Sequence, residues 1–226
     1  MGDHAPAGPC SLAILARAPV PGRAKTRLVP RLGPEGAAAL HALLVERTIR
    51  AAAGAGLTST TVWCAPDRVD PFFHRLASRG PFDLRDQPPG DLGDRMLAAF
   101  RAHLALGFPA LLVGTDCPEL APGHLRAAWG ALHGGAPAVL IPAEDGGYAL
   151  LGLSRVESCL FDGVPWGTAE VMATTRDRLR HLGWKTVELP AVRDVDRPED
   201  VDWLLGSRLL EGDEQARLEG LAAREA

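Results

Sequence analysis

The sequence predicts an α/β protein built on a mostly parallel sheet with helices on both faces. Three observations carry that expectation. Short apolar runs alternate with helical patterns through the first two-thirds of the chain. At 226 residues, 46% apolar and 23% charged, the chain has the length and composition of one globular domain. Charged residues and glycines gather directly after the apolar runs, where an open parallel sheet binds its ligands.

The candidate strands are 12–16, 59–65, 82–87, 109–115, 138–143, 148–153 and 185–189. The candidate helices are 34–54, 69–78, 92–106, 120–132, 168–182, 198–206 and one near 208–224. The helix from Pro34 carries Leu40, Leu43, Leu44 and Ile49 close to helical period and ends at "AGAG". Gly90 and Gly93 punctuate the entry to the third helix, and Gly107 follows it as a stop. Residues 1–10 read as a disordered N-terminal tail, 11–206 as the single domain, and 207–226 as a charged helical tail, either frayed or a partner contact.

Charge and composition exclude several classes. The net charge is −4, so no general attraction to nucleic acid or an anionic membrane is expected. No stretch is apolar enough to span a bilayer, and the N-terminus lacks the pattern of a secretory signal. Cys10, Cys64, Cys117 and Cys159 form no CxxC pair, which argues against structural zinc and for a reduced, cytoplasmic protein.

The loop after the first strand, "RAPVPGRAKTRL", turns on Pro21-Gly22 and carries Arg17, Arg23, Lys25 and Arg27. Guanidinium and ammonium groups there suit a phosphate, though the Walker A spacing is absent. In "VGTDCPEL", Asp116 ends an apolar run, and a carboxylate in that place needs water, a partner or a metal. Mg²⁺ or Mn²⁺ suits such an oxygen ligand; the other reading is a cap ahead of Pro118. In "RDVDRPEDVDWL", Asp194 and Asp196 are read as facing opposite ways in an extended segment, with Asp196 and Glu199 as the acidic cap of the next helix.

"AEDGGYALLG" reads as a two-residue hairpin turn whose Asp145 and Tyr148 are substrate candidates beside Gly146-Gly147. "QPPGDLGDRM" offers Gly90 and Gly93 as a cradle, or a helix entry capped by Asp91. "VPWGTAEV" places Trp166 in a loop, either stacked on a ring or packed on the core, before a helix capped by Thr168. No hydrolase triad, G-x-S-x-G or strict GxGxxG is found.

"ARAPVPGRAKTRL", "GDLGDRM", "GTDCPEL", "DGGYALLG", "WGT" and "DVDRPEDVDWL" in this order resemble a bacterial family of GT-A-like, nucleotide-diphospho-sugar transferases of the rSAM/selenodomain-associated type. That family is related to 2-phospho-lactate guanylyltransferases and molybdenum-cofactor nucleotidylyltransferases. The resemblance runs from about Leu12 to Leu205. It implies a Rossmann-like α/β/α sandwich that binds a nucleotide sugar or NTP with Mg²⁺ or Mn²⁺, and a small-molecule acceptor. Carried over by position, it makes Arg17, Pro21, Gly22, Lys25, Arg27, Gly90, Asp91, Gly93 and Thr115 nucleotide contacts. Asp116 and Asp196 become the metal carboxylates. Gly146, Gly147, Tyr148 and Trp166 face the acceptor, and Lys25, Asp116 and Asp145 serve the chemistry. Glycosyl transfer is the leading reading, nucleotidyl transfer the second, and a non-catalytic nucleotide-binding protein the third. "GTDCP" departs from a DxD triplet, and the long Gly-rich first loop of most nucleotidylyltransferases is missing.

Overall fold

The computed structural model describes residues 8–78 and 80–223. Its sheet has the order β3-β2-β1-β4-β6-β5-β7. The strands are β1 (Ser11–Arg17), β2 (Ser59–Ala65), β3 (Asp83–Asp86), β4 (Ala110–Val113), β5 (Ala138–Pro142), β6 (Tyr148–Leu153) and β7 (Thr186–Glu188). Only β6 runs against its neighbours; every other pairing is parallel. The helices are α1 (Val29–Ala55), α2 (Pro71–Ala77), α3 (Leu92–Leu104), α4 (Pro122–His133), α5 (Val171–His181), α6 (Pro198–Gly206) and α7 (Gly212–Ala222).

Period-2 alternation divides the strands between two cores. Leu12 and Ile14 of β1 and Leu111 and Val113 of β4 join α1, α2 and α4 on one face. Ala13 of β1 and Ala110 and Leu112 of β4 join α3 and α5 on the other. Both faces are covered, as an α/β sheet requires. Helix α1 is broken at Gly33 (φ 65°), so its regular part starts at Pro34, a residue suited to a first helical turn.

Three details differ from the expectation. The β5–β6 link spans residues 143–147 and is not a two-residue turn; Ala143 N donates to Gly147 O at 3.1 Å and Gly146 N to Ala143 O at 3.2 Å. Gly146 is required there, because its φ is 90° and a Cβ would meet Ala169 O at 2.5 Å. The segment 207–226 is not a detached tail over its described part. Helix α7 buries Leu218 and Ala222 in a third cluster with α1 and α6, and its buried Glu214 pairs with Arg47 and Arg50. Of the N-terminal tail, residues 1–7 lie outside the described residues, while Cys10 is fully buried and Pro9 O accepts from His133 Nε2 at 2.9 Å.

All four cysteines are free, and burial pushes the Cys10 and Cys64 thiols up to about 12. Among the described residues no helix is long and apolar enough to cross a membrane.

Candidate functional site

The carboxyl ends of β1 and β4 and the amino end of the antiparallel β6 open onto a cavity of about 540 Å³. Its floor is held by Lys25. That residue adopts a left-handed conformation (φ 49°, ψ 45°), and it is the one non-glycine with positive φ among the described residues. Such a backbone costs free energy and persists where its surroundings over-determine it. The side chain is only 5% exposed, and Nζ lies 2.6 Å from Asp116 Oδ1 and 3.7 Å from Asp196 Oδ1. Nζ also donates to Val195 O at 2.6 Å. Lys25 therefore pins together the first loop, the end of β4 and the segment 194–196.

Asp116 follows β4 after Gly114 and Thr115, and its side chain is half open to the cavity. Burial raises its pKa, but Lys25, by charge and by hydrogen bond, outweighs that together with His41 and Arg17, and the carboxyl lies below its usual value. It forms no cap; its backbone O instead accepts from Val195 N at 2.9 Å.

Asp194 and Asp196 both line the cavity, while Val195 between them is fully buried. The expectation that they face opposite ways is corrected: residues two apart in an extended segment share a face. Asp196 is not a helix cap either. Arg197 holds the N-cap position, and the capping carboxylate is Asp200, which accepts from Asp196 N at 3.1 Å and Arg197 N at 2.8 Å. Its other oxygen takes both Nε and an outer nitrogen of Arg193. Asp196 is thereby left free to meet Arg27 at 2.5 Å. Asp200→Ala would strand two backbone N–H groups and a guanidinium, and we expect a loss of about 2–4 kcal/mol in urea unfolding.

Burial, then the charge of Asp145, push the Asp194 carboxyl up to about 6. A carboxyl raised on folding stabilises the protonated native state, so stability falls as pH climbs from about 4 to about 6. Asp194→Asn lacks that penalty. The ligand-free variant should melt ~2–6 °C above the parent at pH 7, about 1–2 kcal/mol after allowance for solvent access, and no higher at pH 4. A variant less stable at pH 7 would show that the carboxylate is satisfied there.

The remaining expected residues divide. Arg17, Arg27, Thr115, Asp145, Gly147, Tyr148 and Trp166 line the cavity. Asp145 Oδ1 accepts from Gly147 N at 2.8 Å, which sets the turn. The Tyr148 hydroxyl donates to Met96 Sδ at 3.6 Å, and burial raises its pKa. Pro21, Gly22, Gly90, Asp91, Gly93 and Gly146 do not line the cavity. Gly22 (φ 71°) makes the turn before Lys25. Asp91 caps α3, accepting from Asp94 N at 2.9 Å. Gly93 is a cradle for protein: a Cβ would lie 2.8 Å from Trp166 Nε1 and 2.7 Å from Phe161 O. Thr168 does not cap α5, whose N-cap is Glu170.

His41 and Arg95 also line the cavity, without a local mark in the sequence. His41 of α1 is buried and bonds through Nε2 to Arg17 O at 3.0 Å; burial lowers its pKa, against the pull of Asp116. A lone histidine on an apolar helical face carries no sequence signal. Arg95 stands in "GDLGDRM", two positions after Gly93, and binds Gln87 Oε1 through an outer nitrogen at 3.4 Å.

Among the described residues no three His, Cys, Asp or Glu side chains form a metal cage. Paired carboxylates fit a different habit: a hard cation held by one or two of them, with phosphate and water completing its shell. Asp116 and Asp196 both face the Lys25 ammonium, so two carboxylates lie around one point of the cavity.

The chain belongs to the DUF2064 family, described as an uncharacterized protein conserved in bacteria, whose model matches residues 48–168, more than half of its length. No curated protein matches it. Among solved structures it is similar to a protein from Desulfovibrio desulfuricans G20, provisionally described as a nucleotide-diphospho-sugar transferase. The two share 27% identity over 96% of this chain and 97% of that one, with a TM-score of 0.82. A CMP:2-keto-3-deoxy-manno-octonic acid synthetase complexed with CTP gives 0.54 at 15% identity over 87% and 97%. Glucosyl-3-phosphoglycerate synthase from Mycobacterium tuberculosis, with Mn²⁺, UDP and glucosyl-3-phosphoglycerate, gives 0.53 at 14% over 96% and 81%. The fold is thus the Rossmann-like, GT-A-type fold of nucleotide-diphospho-sugar transferases and nucleotidyltransferases.

Proposed function

We propose that this DUF2064 member is a divalent-metal-dependent transferase that takes a nucleotide sugar as donor and passes its glycosyl group to a small-molecule acceptor. The observation that carries the reading is Lys25 held between Asp116 and Asp196 at the carboxyl edge of the sheet. The similarity to one protein provisionally described as a nucleotide-diphospho-sugar transferase supports it. Asp116, with Asp194 or Asp196 beside it, would hold Mg²⁺ or Mn²⁺. That ion supplies neutralisation of the diphosphate leaving group. Lys25, Arg23 and Arg27 bind the phosphate oxygens and share the charge that grows on them as the glycosidic bond breaks. Asp145 takes the proton of the acceptor hydroxyl. Thr115 closes the floor, and Trp166 with Gly147 borders the acceptor.

A second reading is nucleotidyl transfer from an NTP to a phosphorylated acceptor. Four cations of the first loop and its strand, Arg17, Arg23, Lys25 and Arg27, line one cavity and suit a triphosphate. One experiment separates the readings. The protein is incubated with panels of nucleotide sugars and of NTPs, Mn²⁺ and a broad acceptor pool. Release of a nucleoside diphosphate from a nucleotide sugar supports glycosyl transfer. Acceptor-dependent pyrophosphate from an NTP supports the second reading. Intact donors throughout contradict both.

A further inference from the structure

The cavity is lined by Arg17, Arg23, Lys25 and Arg27 of β1 and its loop and, from a distant part of the chain, by Arg95 of α3. Lys25 and Arg27 meet Asp116 and Asp196. Arg95, on the first turn of α3, belongs to the wall on the other face of the sheet, with Leu92, Met96 and Trp166. Among the described residues Arg95 has no carboxylate within ion-pair distance. Its hydrogen-bond partner is the neutral Gln87.

Gln87 is itself immobilised. Its amide nitrogen donates to Ala16 O at 3.1 Å and to Trp63 O at 2.8 Å, which leaves its single side-chain oxygen for Arg95. Two strand ends thus orient one guanidinium, whose Nε is buried without a partner. An arginine is held in this way at the cost of its side-chain freedom, and a guanidinium fork matches the planar oxygens of a carboxylate or the oxygens of a phosphate. Beside it, the exposed Leu92 and the indole of Trp166 offer apolar surface.

We propose that Arg95 is the anchor of the second substrate, and that this acceptor carries an anionic group, a phosphate or a carboxylate, on a compact body. The inference rests on the transferase reading above and names the class of its acceptor. The donor's phosphates are served by the Lys25 pole, so the charge of Arg95 calls for an anion of its own. Gln87 is a positioning residue in this scheme.

The test uses the full chain and simple probes. The protein is saturated with magnesium pyrophosphate, which fills the Lys25 pole whatever the base. Inorganic phosphate or malonate is then titrated calorimetrically at constant ionic strength. The parent should bind one further anion. Arg95→Gln should weaken that anion at least tenfold and change pyrophosphate affinity less than twofold. Arg95→Lys should retain part of it, and Gln87→Leu should weaken it by a smaller factor. Preference for phosphate or for malonate identifies the acidic group. No second anion on the parent, or an equal loss of pyrophosphate in Arg95→Gln, would overturn the proposal. Failure of pyrophosphate to bind at all would strike the transferase reading instead. Phosphate titrated into the unloaded protein then reads Arg95 alone: dependence on it supports the anchor, and indifference removes it.

Discussion

Lys25→Ala is expected to weaken binding of the metal-nucleotide complex about 100-fold. Charge-assisted hydrogen bonds contribute about 1.5–3 kcal/mol each, and a lysine gripping two phosphate oxygens would supply about 3 kcal/mol in all. The same change has a second effect that a solvated loop lysine would not have. It leaves Asp116 and Asp196 facing one point without the ammonium that now lies 2.6 and 3.7 Å away. The unliganded variant should therefore gain more thermal stability from Mg²⁺ than the parent does. Lys25→Arg should not rescue nucleotide binding. The slot is nearly closed, with the side chain 5% exposed, and a planar fork does not replace a compact ammonium there. Calorimetric titration of the donor, with and without Mg²⁺, reads both effects. Unchanged affinity in Lys25→Ala would make the loop a structural turn.

Asp116→Asn should lower kcat/KM roughly 1,000-fold and remove the dependence on metal, since a bound divalent ion is worth several kcal/mol to a departing diphosphate. The substitution keeps the shape of the side chain, and Lys25 retains Val195 O and Asp196. The fold should hold. Donor binding in EDTA should survive or tighten, because Lys25 is released from its shortest ion pair. Loss of turnover with retained metal-free binding is the signature of a metal carboxylate. A variant as active as the parent, and still inhibited by EDTA, would move the metal to Asp194 or Asp196.

Much of this architecture was legible in the chain. The strands 59–65 and 148–153 and the helix 198–206 coincide with β2, β6 and α6, because buried runs and capped amphipathic segments follow local periodicity. The GT-A-type fold followed from motifs in order, and the shape of the sheet agrees. What stayed hidden depends on contacts between distant residues. Asp196 and Glu199 looked like the cap, but Asp200 does that work, since its burial beside Arg193 cannot be read from spacing. Gly90 and Gly93 looked like a ligand cradle. Gly93 instead admits Trp166, a neighbour 73 positions on by the numbering. Helix α7 looked like a loose charged tail, yet Glu214 finds Arg47 across the fold. Arg95 and His41 escaped because a single cation or histidine in a helix has no local mark; only the cavity singles them out.

The central claim is that the pole formed by Lys25, Asp116 and Asp196 is a metal-nucleotide site. Thermal stabilisation tests it most directly, with nucleotide sugars, NDPs and NTPs each offered with Mg²⁺, Mn²⁺ or EDTA. A ligand that binds the native state alone raises stability by RT ln(1 + [L]/Kd), about 2.7 kcal/mol at one hundred times Kd. The account predicts a shift of several degrees for one nucleotide sugar with metal, reduced in EDTA and absent in Lys25→Ala. Equal shifts in parent and Lys25→Ala, or none with any nucleotide in either metal, would contradict it.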